Sequence, residues 1–296
     1  MFVIKYKKIF VTISALLVLL SLVCIGYFGL KPGIDFKGGS LSEAEYSTAR
    51  PDPSVIQQEL APLSLGQIVI QPTGTNDYNI ETRALTDTER ASLFSALGPT
   101  ATEKSFTSIG PSVGAELVRK SLISFVLVVL GIIFFLAFSF RKVSKPVSSW
   151  KYGFIAIVTL IHDILIPVGA FAILSHIYGT EVDTLFVVAI LTILGLSVSD
   201  TIVVFDRIRE NIRVGHFKTF EETVGKSLEQ VYTRSIATSF TVIVVLLALV
   251  FFGPTSTKVF AMMLTAGMFF GTYSSIFLAS PLLVIVKDWQ ERKNKK

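Results

Sequence analysis

Residues 184–205 read TLFVVAILTILGLSVSDTIVVF, an apolar stretch with one carboxylate, Asp200, about six positions from its end. A helix of ~20 residues crosses the ~30 Å hydrocarbon core of a bilayer, so this stretch is long enough to span it. A carboxylate at that depth costs roughly 2.5 to 3.5 kcal/mol on insertion scales, and intramembrane acids therefore usually face a bundle interior or a water path. The stretch predicts a membrane helix whose Asp200 takes part in transport.

The whole chain has the composition of an integral membrane protein. Its 296 residues are 51% hydrophobic and 17% charged, with a mean hydropathy of +0.63. Apolar runs of about 18 residues or more predict spanning helices, and six are found, at about residues 9–29, 122–140, 154–177, 184–205, 236–252 and 259–286. The first run is longer than a signal-peptide core and has no small-x-small cleavage site, which favours a retained helix over a cleaved leader.

Basic residues collect on one side of these predicted helices. The loops 176–183 and 253–258 contain a single basic residue, Lys258, whereas the other loops and the termini are rich in lysine and arginine. Because basic residues of short loops stay in the cytoplasm, both termini are predicted to be cytoplasmic and residues 30–120 extracytoplasmic. The basic residues concerned are Lys5, Lys7, Lys8, Arg141, Lys142, Lys145, Lys151, Arg207, Arg209, Arg213, Lys218, Lys226, Lys287, Arg292, Lys293, Lys295 and Lys296.

Residues 30–120 predict one small α+β domain. Proline opens its first helix, a Thr86–Glu89 capping box opens its second, and turn residues 72–76 separate two strands. The predicted strands are 40–46, 66–71, 77–83 and 103–109, and the predicted helices are 53–61 and 86–97. This order is that of the ferredoxin-like fold. The predicted fold class is therefore an α-helical integral membrane protein with six transmembrane helices and a ferredoxin-like domain between the first and second.

No motif of a chemical catalyst is present in the sequence. The domain 30–120 contains no histidine or cysteine, and the chain has no GxxxxGK[ST], HExxH, CxxC or GxSxG pattern. We therefore expect no enzymatic activity, no cofactor and no metal, with energy supplied by a partner or by the membrane gradient. The scattered acids of the domain are typical of a solvated face, although binding of a polypeptide at an exposed strand edge is an open alternative.

Arg234 is the predicted partner of Asp200. It precedes the fifth apolar run, and Thr238 and Thr241 follow it on the same helix face. The fourth and fifth helices run in opposite directions, so Asp200 and Arg234 are expected at similar depth, where they can pair. A permanent salt bridge would lock the bundle. Alternatively, Asp200 would alternate between protonated and ionised forms while Arg234 stays charged, which makes the two residues a proton relay.

Other polar residues of the predicted helices are weaker candidates. His162 and Asp163 in the third helix are expected to solvate Asp200 or relay protons to it, with helix packing as the alternative. Asp206 and Arg207 are expected to cap the fourth helix at the interface, and residues 206–235 to form a cytoplasmic segment with one or two surface helices. Two small-residue pairs predict close helix approach, Gly195 with Ser199 and Gly267 with Gly271.

Five segments carry a resemblance to a known family. They are residues 33–40 (GIDFKGGS), 109–118 (IGPSVGAELV), 197–212 (SVSDTIVVFDRIRENI), 230–242 (QVYTRSIATSFTV) and 271–282 (GTYSSIFLASPL). The chain resembles the SecF branch of the SecD/SecF family of protein-export membrane proteins, which is related to the resistance-nodulation-division transporters. The matching motif residues include Gly33, Asp35, Gly38, Gly39, Gly110, Pro111, Gly114, Asp206 and Arg207. Many relatives have threonine at the position of Lys37 and asparagine at that of Ser199.

The resemblance implies a function in protein export. It implies a bacterial cytoplasmic membrane location, a SecD partner with six more helices, the SecYEG channel and YajC as further partners, and a preprotein as substrate. It also implies that Asp200 and Arg234 handle protons, the coupling ion, and that the proton motive force promotes late steps of translocation. A small-molecule or lipid exporter subunit of the related superfamily and a passive scaffold for SecD are the alternatives.

Overall fold

The computed structural model describes residues 2–140, 147–215 and 217–294. Five of the basic residues used to predict the orientation lie outside these ranges: Arg141, Lys142, Lys145, Lys295 and Lys296. The chain divides into two compact units, one of residues 1–29, 125–178 and 185–296 and one of residues 30–124 and 179–184. They are called the helical unit and the sheet unit below.

Within the described ranges, six helices are long and apolar enough to cross a membrane, as the sequence predicts. We name them M1 to M6. Their bounds are Lys7–Phe28 (M1), Pro111–Phe140 (M2), Ser149–Tyr178 (M3), Thr184–Val214 (M4), Phe220–Phe252 (M5), and Thr255–Ser274 continued by Ser280–Asn294 (M6). The prediction of a mostly helical membrane protein with a small sheet is therefore confirmed.

Two of the helices begin earlier than their apolar runs. M2 begins at Pro111 rather than near Leu122, because proline fits the first turn of a helix and the amides of Val113 and Gly114 bond to the Gly110 carbonyl. M5 begins at Phe220, where the Thr219 hydroxyl accepts a hydrogen bond from the Glu222 amide. Hydropathy marks only the part of a helix that the lipid tails surround.

The segment 206–235 does not form separate surface helices. M4 continues to Val214 and M5 covers the rest from Phe220, so Asp206 and Arg207 lie inside a helix and do not cap its end. The extensions hold each other: Asn211 Nδ2 donates to Ser227 Oγ at 2.8 Å and to Gln230 Oε1 at 2.7 Å. The helix therefore continues because a neighbouring helix, and not lipid, covers it.

M6 contains an irregular turn in its middle. Residues Ser275–Ala279 form a π-helix between two α-helical segments. One extra residue per turn changes the direction in which the adjacent side chains point, and such bulges are frequent at functional sites. The glycines before the turn allow close packing: a Cβ atom on Gly267 would lie 2.3 Å from Ile193 Cγ1 of M4, and one on Gly271 would lie 3.2 Å from Ser197 Cβ.

The sheet unit contains four antiparallel strands in the order β2-β3-β1-β4. Helices follow β1 and β3, so the predicted succession of strand, helix, strand, strand, helix, strand is observed, and both hydrogen bonds of the Thr86–Glu89 capping box are present. The elements are β1 (Gly39–Tyr46), Pro53–Leu60, β2 (Val69–Thr73), β3 (Asp77–Thr82), Asp87–Ala96 and β4 (Ala101–Ile109). Ala44, Ile56, Ile80 and Leu93 are fully buried in its core.

The sheet unit also includes residues 179–184, the segment that joins M3 to M4. We call this segment the connector. The Val182 amide donates to the Lys31 carbonyl at 2.7 Å, and the Gly33 amide donates to the Val182 carbonyl at 2.8 Å. The predicted domain 30–120 is thus extended by a segment distant in sequence, and a short loop with a single apolar residue, Val182, gives no sign of its partner.

Candidate functional site

Asp200 lies on M4, half-buried in the helical unit. Its Oδ2 accepts a hydrogen bond from Ser275 Oγ of M6 at 2.9 Å. Ser235 of M5 lies beside the same carboxyl, although its buried hydroxyl makes no hydrogen bond of normal geometry with any described residue. The carboxyl is therefore held by a neutral donor on M6.

Arg234 interacts with Asp200 only through its charge. The arginine is exposed on M5 while its neighbour Ser235 is buried, and among the described residues no direct ion pair joins Arg234 to Asp200. Thr238 is also exposed, and its hydroxyl donates to the Arg234 carbonyl at 2.9 Å. The two helices thus bring Arg234 near Asp200, as the sequence predicts, but in this conformation the predicted direct pair is not formed.

Asp163 of M3 is the most deeply buried carboxyl of the helical unit. Its Oδ2 accepts hydrogen bonds from Ser274 Oγ of M6 at 2.7 Å and from Ser197 Oγ of M4. Its Oδ1 lies 2.7 Å from His162 Nδ1. Three helices therefore converge on one carboxyl through side-chain hydrogen bonds.

His162 belongs to the same buried cluster. Its side chain is 2% exposed, its ring stacks on Tyr273 with 6.2 Å between the centroids, and its Nε2 has no hydrogen-bond partner among the described residues. A buried nitrogen without a partner is rare, because leaving it unpaired costs about 1–3 kcal/mol. The ring can therefore hold its proton at Nδ1 or at Nε2, depending on the state of Asp163.

The structure gives three of the five predicted relay residues hydrogen bonds between side chains, and their partners include serines that were not predicted. Asp163 bonds to His162, Ser197 and Ser274, and Asp200 bonds to Ser275, the residue that follows Ser274. A serine in an apolar run carries no periodic signal. Ser274 and Ser275 do lie in segment 271–282, one of the five that resemble the SecD/SecF family, and this was the only sign of them in the sequence. Arg234 and Thr238 make no side-chain hydrogen bond to these residues among the described ones, and Asp206 is exposed on the M4 extension.

The glycines of segments 33–40 and 109–118 meet in the sheet unit. Gly38 and Gly39 have φ values of +77° and +144°, which favour glycine. A Cβ atom on Gly38 would lie 2.9 Å from Pro111 Cα, and one on Gly114 would lie 2.9 Å from the Phe36 carbonyl oxygen. The two motifs therefore pack backbone against backbone.

The polar residues of the same motif bind the connector. Asp35 Oδ2 accepts hydrogen bonds from the Thr184 amide at 2.8 Å and from the Thr184 hydroxyl at 2.6 Å. Lys37 Nζ lies 3.1 Å from Glu81 and 3.3 Å from Glu181. Burial raises the pKa of Glu181 to about 7, and the neighbouring Glu81 carboxylate adds to the rise while Lys37 opposes it.

A match to a known family follows from comparison with other proteins. The family model described as protein export membrane protein SecD/SecF, C-terminal, matches residues 89–289, and the model of the SecD/SecF GG motif matches residues 28–49. The chain belongs to the SecD/SecF family. The GG motif of this family corresponds to Gly38 and Gly39, whose positive φ values and backbone contacts explain the requirement for glycine.

Relatives within the SecD/SecF family match almost the full chain. The protein translocase subunit SecF of Thermobaculum terrenum is 39% identical over 98% of this chain and 94% of that protein. That of Anaerolinea thermophila is 35% identical over 97% of this chain and 94% of that protein. A crystal structure of SecDF, a translocon-associated membrane protein from Thermus thermophilus, has a TM-score of 0.82 at 29% identity over 96% of this chain. The chain covers 38% of the length of that SecDF chain.

Proposed function

We propose that this chain is an auxiliary subunit of the bacterial Sec protein translocase. It acts with SecD, near the SecYEG channel and YajC, and promotes the late steps of preprotein translocation and release. Its relatives are translocase subunits, which supports a transport role without chemical catalysis. The driving force in this proposal is the proton motive force, and protons are the coupling ion.

The observation that carries the proposal is the pair of carboxyls inside the helical unit. Asp163 and Asp200 stand on helices of membrane-spanning length, and serine hydroxyls are the hydrogen-bond donors to Asp200 and to one oxygen of Asp163. A carboxyl with a fixed arginine partner stays ionised, whereas one held by hydroxyls can take up a proton without leaving a partner cation unpaired. The hydroxyl-held geometry favours a relay over a static salt bridge.

The contacts at one end of the helices support the proposed orientation. Lys7 at the start of M1 lies 2.8 Å from Asp288 near the end of M6 and also pairs with Glu221 at the start of M5. Lys151 at the start of M3 donates to Gln290 at 2.6 Å. In this proposal that lysine-rich end is cytoplasmic, and the sheet unit, a ferredoxin-like domain, is periplasmic.

The energy available from one proton is modest. A charge moved across 100 mV gains about 2.3 kcal/mol, enough to change a two-state equilibrium roughly fifty-fold. Movement of the periplasmic domain against a load therefore requires several protons or repeated cycles. A relay that passes protons one at a time through Asp163 and Asp200 is suited to such cycling.

The experiment is a substitution of Asp200 in the assembled complex. An Asp200→Asn chain is purified with SecD, reconstituted with SecYEG in vesicles, and assayed for preprotein translocation with and without a proton gradient. We expect normal copurification with SecD and loss of the stimulation by the gradient. The matched control is Glu291→Gln, which removes an exposed carboxyl from M6 and should leave the stimulation intact.

Three results would contradict the proposal. Full stimulation in the Asp200→Asn complex would show that protons do not pass through this residue. Loss of copurification with SecD would show that Asp200 is needed for assembly, as expected of a scaffold. Transport of a small molecule or lipid in place of the preprotein would assign the chain to the exporter class.

A further inference from the structure

Two adjacent serines of M6 bind two different carboxyls. Ser274 Oγ donates to Asp163 Oδ2 of M3 at 2.7 Å, and Ser275 Oγ donates to Asp200 Oδ2 of M4 at 2.9 Å. Both serines are fully buried. The side chains of adjacent residues in a helix point about 100° apart, so these two residues of M6 can contact both M3 and M4.

The π-helical turn begins at these serines. Ser275 is its first residue, and Ser280, which follows its last residue, donates from its hydroxyl to the Ser275 carbonyl at 3.3 Å. M6 is close to M4 just before the turn, because Gly271 brings its backbone against Ser197. The turn and the glycine together place both hydroxyls within reach of their carboxyls.

Each serine hydroxyl also has a second acceptor. Ser274 Oγ lies 3.0 Å from the Gly271 carbonyl, and Ser275 Oγ lies 3.0 Å from the Thr272 carbonyl. When a carboxylate takes up a proton it needs one donor fewer, and the serine can turn to its own helix without losing its hydrogen bond. A change of partner is therefore inexpensive for both residues.

We propose that Ser274 and Ser275 are positioning residues that couple the protonation of Asp163 to that of Asp200. The inference rests on the proposed proton-driven function and adds the element that links its two carboxyls. The serines move no proton themselves: they bind the ionised form of each carboxyl and release it on protonation. Because the two residues are adjacent in M6, release of one hydroxyl shifts the other.

The other groups that face these carboxyls do not form this link. Asp163 faces His162 of M3 and Ser197 of M4, and Asp200 faces Arg234 and Ser235 of M5. His162 and Arg234 are the ionisable ones, and each acts on one carboxyl. Ser197 shares M4 with Asp200 but bonds only to Asp163 among the described residues.

The test measures how one carboxyl responds to the other. The chain is purified with SecD in membranes, and the protonated-carboxyl band of Asp163 is followed against pH by infrared difference spectroscopy, with Asp163→Asn to identify the band. We expect Asp200→Asn to move the midpoint of this titration by roughly half a pH unit or more. In a chain that also carries Ser274→Ala and Ser275→Ala, we expect the movement to vanish.

Two further variants make the result specific. Ser275→Thr, with Ser274 left in place, keeps the hydroxyl and should retain the coupling that the two alanine substitutions abolish. Ser175→Ala removes a buried M3 hydroxyl that has no hydrogen bond among the described residues, and it should leave the coupling unchanged. If the midpoint still moves without Ser274 and Ser275, or does not move in their presence, the inference is overturned. The translocation assay of Asp200→Asn tests the proposed function separately, since it does not depend on the serines.

Discussion

The Glu181 carboxylate lies 3.3 Å from the ammonium group of Lys37, which is also 3.1 Å from Glu81. One cation therefore serves two carboxylates, and the excess negative charge lies where Glu181 is largely buried. Burial raises the pKa of Glu181 to about 7, with the Glu81 carboxylate adding to the rise and Lys37 opposing it. The connector is thus bound to the sheet through a carboxyl that can gain or lose a proton near neutral pH.

This carboxyl should make the binding of the connector depend on pH. We call the connector closed when it is bound to the sheet, as in the structure, and open when it is released. Below about pH 4.5 Glu181 is protonated in both states, and between about 4.5 and about 7 only the closed state keeps the proton. The open state then binds fewer protons, so stability falls as pH rises through this window and changes no further above it. We expect the Val182 amide to be better protected from hydrogen exchange at about pH 5.5 than at about pH 7.5, after correction for intrinsic rates.

A Glu181→Gln chain should lose this difference, because a neutral amide replaces the titrating carboxyl. Glu45→Gln, at an exposed position of β1, is the matched control and should keep it. Equal protection at both pH values in the parent chain, or a pH effect that survives in Glu181→Gln, would be inconsistent with the assignment.

Gly39 should be the most sensitive glycine of the GG motif. It has φ +144°, and an added Cβ atom would lie 2.7 Å from the Thr82 carbonyl oxygen in the neighbouring strand. We expect Gly39→Ala to destabilise the sheet unit by about 1 to 3 kcal/mol, which is the cost of one residue held in a strained backbone conformation. The measurement is proteolysis of the sheet unit in the purified chain. Gly110→Ala, with its nearest neighbouring atom 4.0 Å away, should be cleaved at the parent rate; equal resistance of the Gly39→Ala chain would refute the assignment.

The sequence predicted the parts of the fold that depend on local patterns. The six apolar runs gave the membrane helices, and alternation with turn residues gave the four strands. Helices were predicted within residues 206–235, but their continuity with M4 and M5 was missed, because contacts between two polar helices, such as that of Asn211 with Ser227, replace hydropathy as the stabilising factor there. The connector was missed for a related reason: its binding to Lys31 and Gly33 is a backbone pairing over a long distance in sequence.

The candidate site was predicted in part. Asp200 and Asp163 could be selected because a carboxyl is costly in an apolar run, whereas the serines that bind them cost little and leave no such sign. The position of Arg234 followed from the antiparallel course of M4 and M5, but the direction of its side chain did not. Whether residue 234 or residue 235 faces Asp200 depends on the rotation of M5, which its neighbours M6 and M4 determine.

Gly267 is expected to determine how closely M6 approaches M4. A Cβ atom there would lie 2.3 Å from Ile193 Cγ1 in a fully packed position, so Gly267→Ala should destabilise the helical unit by roughly 1 to 3 kcal/mol. The buried Cys24, the only cysteine of the chain, is a convenient reporter, because its reaction with a thiol reagent on heating follows unfolding. Gly271→Ala, at 3.2 Å from Ser197 Cβ, should have a smaller effect.

The control for this packing is Gly195, the glycine of the other predicted small-residue pair. No described atom lies within 4 Å of a Cβ atom placed on it, so Gly195→Ala should unfold at the parent temperature. Ile193→Ala in the Gly267→Ala chain removes Cγ1 and Cδ1, the two atoms nearest the added Cβ, and should recover part of the loss. A Gly267→Ala chain as stable as the parent would mean that M6 and M4 are not in close contact.

Asp163 allows the structural and the proton-carrying roles of a buried carboxyl to be separated. In an Asp163→Asn chain the amide oxygen can accept hydrogen bonds from Ser197 and Ser274. The amide nitrogen can donate to His162 Nδ1 when the ring carries its proton on Nε2. In the parent chain Nε2 has no partner among the described residues. All the hydrogen bonds can then be kept, and we expect normal stability with SecD but loss of the stimulation of translocation by a proton gradient. Asp163→Leu leaves Ser197 and His162 Nδ1 unpaired in the interior, at about 1–3 kcal/mol each, whereas Ser274 can still donate to the Gly271 carbonyl. It should therefore lower stability as well as translocation. An Asp163→Asn complex that responds fully to the gradient would restrict Asp163 to a structural role and leave Asp200 as the relay group of this chain.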